Sequence, residues 1–255
     1  MWRSLKRQVI KQNKFIVLSQ EEKVRLLVKS VIVVIVLNIC FYQNPIAFLE
    51  LWSIGVLFYQ KEKQSLLSQK KEEVRYQFRE MLLLTVAGQR AGYSVENAFL
   101  NGYEDLANLY GTHSGICRML REIRAGLTNH IAIGELWKSI ADACDIVEIK
   151  EFAQVFIIAR ECAGNMASVL ERTADTIADK TETKKEIAVV MSAKMMEQRI
   201  MNMMPFLLIL YMNITSPGYF DGLYNTSKGV VTMTGCLLFY LLAYHLGEKT
   251  AKIDL

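Results

Sequence analysis

The stretch LLVKSVIVVIVLNICFYQNPIAFLELWSIGVLFY, Leu26 to Tyr59, decides the fold, because it is two apolar runs joined at Gln43-Asn44-Pro45. A helix of about 20 apolar residues crosses a bilayer core, and a polar turn with proline reverses the chain. A transmembrane helical hairpin is predicted. A second apolar stretch, Ile200 to Gly247, turns at Thr215-Ser216-Pro217-Gly218 and predicts another. Between them lies a long charged stretch. Lys61, Lys63, Lys70, Lys71, Lys194 and Arg199 lie near the spans on that side, as do Arg3, Lys6, Arg7, Lys11, Lys14, Lys23 and Arg25, whereas Lys228 is the only basic residue in either opposite turn. Positive charge beside spans marks the cytoplasmic side. The middle and both termini are therefore expected in the cytoplasm, with the chain multi-pass in the cytoplasmic (inner) membrane.

The four expected spans differ in character. Leu26 to Tyr42 carries the apolar run Val31-Ile32-Val33-Val34-Ile35-Val36-Leu37, with Lys29 near its end, where an ammonium reaches the interface. Ile46 to Gln60 is short and contains Glu50, so it spans with little tilt or is re-entrant. Ile200 to Ile214 contains Pro205, which kinks a helix or marks where it meets the bilayer. Gly229 to Gly247 precedes the charged tail Glu248 to Leu255. Few polar groups fall within these spans, chiefly Lys29, Asn38 and Glu50. Glu50 either pairs in the membrane with Lys29 or an amine of a partner, or lies at headgroup depth beside Pro45.

Composition fits a mixed protein: 255 residues, 52% hydrophobic and 22% charged, with mean hydropathy +0.18. That is too apolar for an ordinary soluble domain and too charged for a many-span transporter. The net charge of +4 does not imply nucleic acid, because Lys and Arg alternate with Glu and Asp, as in Lys70-Lys71-Glu72-Glu73, and build no basic face. Cys40, Cys117, Cys144, Cys162 and Cys236 have no metal-binding spacing and are expected to pack as small hydrophobes in a reducing compartment. No cleavage site follows the first apolar run, so a signal peptide is not expected.

From Glu62 to Arg199 there is no proline and no sustained alternation, and apolar residues recur at helical spacing. Val74, Phe78, Met81, Leu82 and Thr85 form one stripe. Ile149, Phe152, Val155, Phe156, Ala159 and Ala163 form another. Helices are punctuated by glycine followed by a small polar cap: Gly92 before Ser94, which opens a helix from Val95 to about Tyr110; Gly126 before Thr128; Gly164 before Asn165. The Arg-Ala-Gly triplets at 90–92 and 124–126 are either a weak internal repeat or coincidence. Asn165 starts the longest helical stretch, polar over Asp179 to Glu186 and apolar again from Ile187, running through the methionine-rich Met191 to Met212 into the third span.

The fold class expected is all-α: an integral membrane protein with two transmembrane helical hairpins flanking a cytoplasmic helical bundle. Its segments are a basic cytoplasmic N-terminus (1–25), a first hairpin (26–60), the bundle (61–199), a second hairpin (200–247) and a cytoplasmic tail (248–255).

Chemistry-bearing patterns are absent. His113, His130 and His245 have no ligand-spaced partners, Ser94, Ser114 and Ser168 have no nucleophile setting, and no P-loop occurs. No catalytic, cofactor-binding or metal residue is assigned, and no cofactor or enzyme activity is expected.

The order of features resembles a known family. Gly92-Tyr93-Ser94-Val95-Glu96-Asn97-Ala98-Phe99, then Glu122-Ile123-Arg124-Ala125-Gly126-Leu127, then Phe152-Ala153-Gln154 leading to Ala163-Gly164-Asn165-Met166-Ala167-Ser168-Val169-Leu170-Glu171, and finally Met203-Met204-Pro205-Phe206, resemble the type II secretion system F domain. The preceding hairpin makes the arrangement most similar to inner-membrane platform proteins of the Tad/Flp pilus branch. The resemblance covers about residues 75 to 247. It departs from the family at Ala163-Gly164-Asn165, where two glycines are common, and at Thr128 to Ile133, which is more apolar than a usual capped start.

The resemblance implies a non-enzymatic platform beneath a pilus or pseudopilus. Its implied partners are a hexameric secretion ATPase, a paralogous platform protein, a pilin or pseudopilin and the lipid bilayer, within a homo- or hetero-oligomer, with no nucleic acid. It places Gly92, Ser94, Glu96, Gly126, Gly164, Asn165, Glu171 and Pro205 as structural or interaction positions. It also raises Glu104, Asp105, Arg118, Arg121, Glu122, Arg124 and Arg172 as ATPase-contact candidates. The alternatives are a small transporter or permease subunit, or a related platform of a type IV pilus or sporulation channel.

Overall fold

The computed structural model describes residues 15–16, 18–42, 47–161, 165–216, 218–224 and 226–251, and among them the regular elements are all α-helices. In chain order these are α1 (Gln20–Phe41), α2 (Ala47–Arg90), α3 (Val95–Asn101), α4 (Tyr103–Tyr110), α5 (Gly115–Thr128), α6 (Ile133–Ala143), α7 (Val147–Glu161), α8 (Met166–Thr215), α9 (Asp221–Tyr224) and α10 (Ser227–Ala251). The all-α expectation holds. The chain forms two compact units, one built on Ser65–Glu182 with the segment ending at Ser19, the other on Gln20–Gln64 with the chain from Thr183 onward. Helices α2 and α8 contribute to both.

The first unit is a helical bundle around an aromatic centre. Val74, Phe78, Met81, Leu82 and Thr85 of α2 are buried together, as their spacing predicts. Thr85 satisfies its hydroxyl within the helix by donating to the Met81 carbonyl at 2.8 Å. Trp137 of α6 meets Phe78, Phe99 and Phe152 with ring centroids 5.8, 5.2 and 5.2 Å apart. Tilted and edge-to-face packing of this kind adds to the area buried.

Three local expectations are corrected. On α7 the buried face is Ile149, Phe152, Ala153 and Phe156. Val155 is 48% exposed, because at about 100° per residue it falls well off the arc those four share. The helix expected from Val95 to about Tyr110 divides at Gly102 into α3 and α4, where Gly102 is pressed against Leu84, 3.3 Å from where a Cβ would stand. Gly126 is not a turn: it lies inside α5, buried. A Cβ there would stand 2.2 Å from Leu136 Cδ2, so the glycine serves the close approach of α5 and α6. The chain reverses later instead, with His130 at φ 57° and Ala132 preceding α6 without a side-chain cap.

The second unit has an apolar centre and carries many large apolar residues on its exterior. Val34, Leu37, Cys40, Phe41, Leu51 and Leu237 form the centre, with Ile54, Phe206, Ile209 and Leu241 packed against it. Gly55 lets α2 approach α1: a Cβ there would stand 2.7 Å from Val34 Cγ2, and Ser30 Oγ donates to the Gly55 carbonyl at 2.7 Å. The outward residues are also large and apolar, among them Ile32, Leu57, Leu207, Leu208, Ile214, Val231 and Phe239, the last 77% exposed. Two helical stretches among the described residues, Gln20–Phe41 and Lys228–Gly247, are long and apolar enough to cross a membrane. They correspond to the first and fourth expected spans.

Candidate functional site

Gly92, Ser94, Glu96, Asn165 and Glu171 lie where α2 and α7 end and α3 and α8 begin, whereas Gly126 and Arg118 to Arg124 lie on α5 and Glu104 and Asp105 on α4. The Gly92 turn is built by backbone chemistry: α2 closes with Tyr93 N–H donating to the Gly88 carbonyl at 3.1 Å and Gly92 N–H to that of Gln89 at 3.0 Å. Gly92 adopts φ +93°, a left-handed geometry that costs a residue with a Cβ about 1–2 kcal/mol. Two residues on, Ser94 is the N-cap of α3, its Oγ accepting from the Asn97 amide at 3.3 Å. Asn165 does the same for α8, its Oδ1 accepting from the Ser168 amide at 3.4 Å. Each side chain satisfies an amide that the helix geometry leaves without an internal partner. Gly164 lies outside the described residues.

Two of the acidic candidates, Glu96 and Glu171, are paired within the bundle. Glu96 of α3 pairs with Arg160 near the end of α7 at 2.8 Å, and Glu171 of α8 takes both its oxygens to Arg90 Nη2 at 3.1 Å. All four side chains keep substantial solvent exposure, so the pairs tether helix ends with modest energy. Beside Arg160 a cleft of about 400 Å³ opens between α6 and α7, lined by Gly134, Glu135, Lys138 and Ile157. What this end presents is a mixed-charge surface on capped helix termini.

A second cluster was not marked by the sequence. Glu148 is 5% exposed, yet it is charged and doubly engaged: it accepts from Arg75 Nε at 2.9 Å and from Lys180 Nζ at 3.4 Å. Arg75 also bonds Glu72. Burial pushes the Glu148 carboxyl up, but its own main-chain amide, Arg75 and Lys180 outweigh burial and hold it below the usual range. Burial likewise disfavours the Arg75 charge, and Glu72 and Glu148 overcome it to raise its pKa. Nearby, Lys71 donates to Asp145 Oδ2 at 2.6 Å and Lys150 stands 3.6 Å from Oδ1. The Lys71 hydrogen bond is the main cause that lowers the Asp145 pKa. The cluster joins α2, the start of α7 and α8. Its one available sign in the sequence was an acid flanked by Ile146, Val147 and Ile149.

In the second unit, Lys29 Nζ pairs with Glu62 Oε1 at 3.0 Å. Glu50 lies in the first turn of α2, and its side chain is outside the described residues. Asn38 lies half-buried one turn before the end of α1, its carbonyl accepting from Tyr42 N–H at 3.0 Å. Pro205 lies inside α8, which continues to Thr215. Among the described residues no group of three or more His, Cys, Asp or Glu side chains could hold a metal ion. No family model, no curated protein and no solved structure matches this chain.

Proposed function

We propose that the chain is a cytoplasmic-membrane platform protein of a Tad/Flp-type pilus or type II secretion-like machine, coupling a secretion ATPase to pilin assembly or export. The observation that carries the membrane part is the surface of the second unit. Its exposed residues include many Ile, Leu, Val, Met and Phe along parts of α1, α2, α8 and α10, and an extended apolar surface of this kind marks contact with a membrane or a partner. Two hairpins in a bilayer, α1 with the start of α2 and the end of α8 with α10, make lipid the solvent of that exterior.

Tyrosines support the same reading. Tyr42, Tyr219 and Tyr224 stand near the proposed external turns, and Tyr59 and Tyr244 near the opposite ends, the interfacial placement amphipathic rings prefer. Tyr42 shares a hydrogen bond with Thr234 at 2.9 Å. Tyr224 donates to the Cys40 carbonyl at 2.8 Å.

The platform role rests on the order of motifs from Gly92 to Pro205 and on the capped, mixed-charge end of the bundle. Such a platform needs a folded cytoplasmic face whose chain continues into its spans, and α8, helical from Met166 to Thr215, contributes to both units. The test is photocrosslinking from Glu104 or Arg172, both exposed, in full-length protein co-expressed with the hexameric secretion ATPase of the same genome. An adduct with the ATPase is expected. Its absence from an assembled machine contradicts the reading.

A further inference from the structure

The first unit holds a cavity of about 460 Å³ whose polar wall includes Glu73 and Gln77 of α2, Tyr110 at the end of α4, His113 and Ser114 of the following loop, and Arg118 of α5. On the α2 side the polar atoms are satisfied. Gln77, 1% exposed, donates from Nε2 to Glu73 Oε1 at 3.1 Å and accepts from the Ile116 amide at 3.4 Å. Lys70 and Ser19, which also border the cavity, have partners of their own.

The α5 side differs. Three arginines among the described residues are partly buried: Arg75, Arg79 and Arg118. Arg75 meets Glu72 and Glu148, and Arg79 meets Glu80. The Arg118 guanidinium has no carboxylate, carbonyl or ring partner among the described residues. Withdrawing such a cation from water is costly unless an acceptor takes the water's place. Ser114 stands four residues before Arg118 and so on the same face of the chain as it enters α5. Its Oγ accepts from the Cys117 amide at 3.4 Å, which leaves the hydroxyl proton to donate. His113, exposed beside it, adds a ring nitrogen donor.

We propose that this cavity binds the phosphate group of a phosphate ester, with Arg118 as its main ligand and Ser114 and His113 as further donors. Phosphate fits the set because its oxygens only accept, and a guanidinium takes two of them at once. Glu73 is tied to Gln77 and directs an anion to the α5 side. The cavity is larger than a bare phosphate, which leaves room for the rest of an ester. The residues all belong to the first unit, so the site stands without the membrane reading. The ester is a soluble molecule or a lipid headgroup, and the test separates the two.

Full-length protein in a neutral detergent is dialysed to equilibrium against radiolabelled inorganic phosphate. Saturable binding is expected, displaced by glycerol phosphate and not by glycerol. Arg118→Gln should weaken it about tenfold, the effect of one charge-assisted hydrogen bond, and Arg118→Lys, which keeps the charge, by less. Arg124→Gln removes the same charge from the same helix, where the guanidinium lies 5.0 Å over the Tyr103 ring, and should leave binding in place. An unchanged thermal unfolding profile in Arg118→Lys ties its loss to binding rather than to folding. Displacement by phosphatidylglycerol supports the site with a lipid headgroup as its ligand; displacement by glycerol phosphate alone supports it with a soluble ester. No saturable binding, no displacement by glycerol phosphate, or equal effects of Arg118→Gln and Arg124→Gln overturns the site.

Discussion

Replacing Glu148 by Gln tests whether the buried ion cluster holds α2, α7 and α8 in register. The carboxylate is nearly inaccessible and meets Arg75, itself mostly buried, at 2.9 Å. Removing one partner of such a pair costs about 3–5 kcal/mol, because the other charge is left buried. Arg75 keeps Glu72, which places the expected loss near about 3 kcal/mol, on the order of a hundredfold in the opening equilibrium.

Cys144 reports that opening. Its thiol is 1% exposed and pushed up to about 12 by burial and the neighbouring Asp145, so alkylation near neutral pH requires the bundle to open. With the other four cysteines replaced by alanine, Glu148→Gln should speed Cys144 alkylation about a hundredfold where reclosing outpaces labelling. Glu151→Gln is the control: its carboxylate is exposed and 3.9 Å from Lys180, a contact worth little. Unchanged labelling in Glu148→Gln, or equal effects of both substitutions, refutes the reasoning.

Acid should open the same cluster. Glu148 and Asp145 both titrate below their ordinary values of 4.5 and 3.8, so their contribution is complete at neutral pH and is lost as pH falls through the folded values, below about 4.5; Cys144 labelling after a brief acid pulse measures it, and Glu148→Gln should flatten the profile. Gly126→Ala should destabilise the bundle by about 1 kcal/mol, overpacking against Leu136 outweighing the helix propensity gained, and thermal unfolding of the single and Leu136→Ala double variants should give a non-additive cycle. Gly92→Ala should cost about 1–2 kcal/mol through its positive φ, with Gly92→Asn milder, in the same unfolding assay.

Local chemistry was the part legible in the sequence. The α2 stripe, the Gly92 turn and the Ser94 and Asn165 caps each depend on residues within a few positions of one another, and each lies where the pattern put it. Gly126 was misread because a glycine in a turn and a glycine under a neighbouring helix look alike until Leu136, ten residues on, is placed against it. Val155 was assigned to a face by its hydrophobicity, although its angular position excluded it. The Glu148 cluster depends on Arg75 and Lys180, 73 residues before it and 32 after it, and no window along the chain joins them. Likewise Glu96 and Glu171 were legible as charged positions, but their partners Arg160 and Arg90 come from other helices.

The central claim is that two hairpins hold the chain in the cytoplasmic membrane with the bundle inside. Its most direct test is labelling of single cysteines in intact cells by a membrane-impermeant maleimide, in a background lacking the five native cysteines. Thr226→Cys, in the proposed external turn, should label from outside, and Glu104→Cys, in the bundle, only after lysis. Labelling of Glu104→Cys in intact cells, or protection of Thr226→Cys until lysis, would contradict the account.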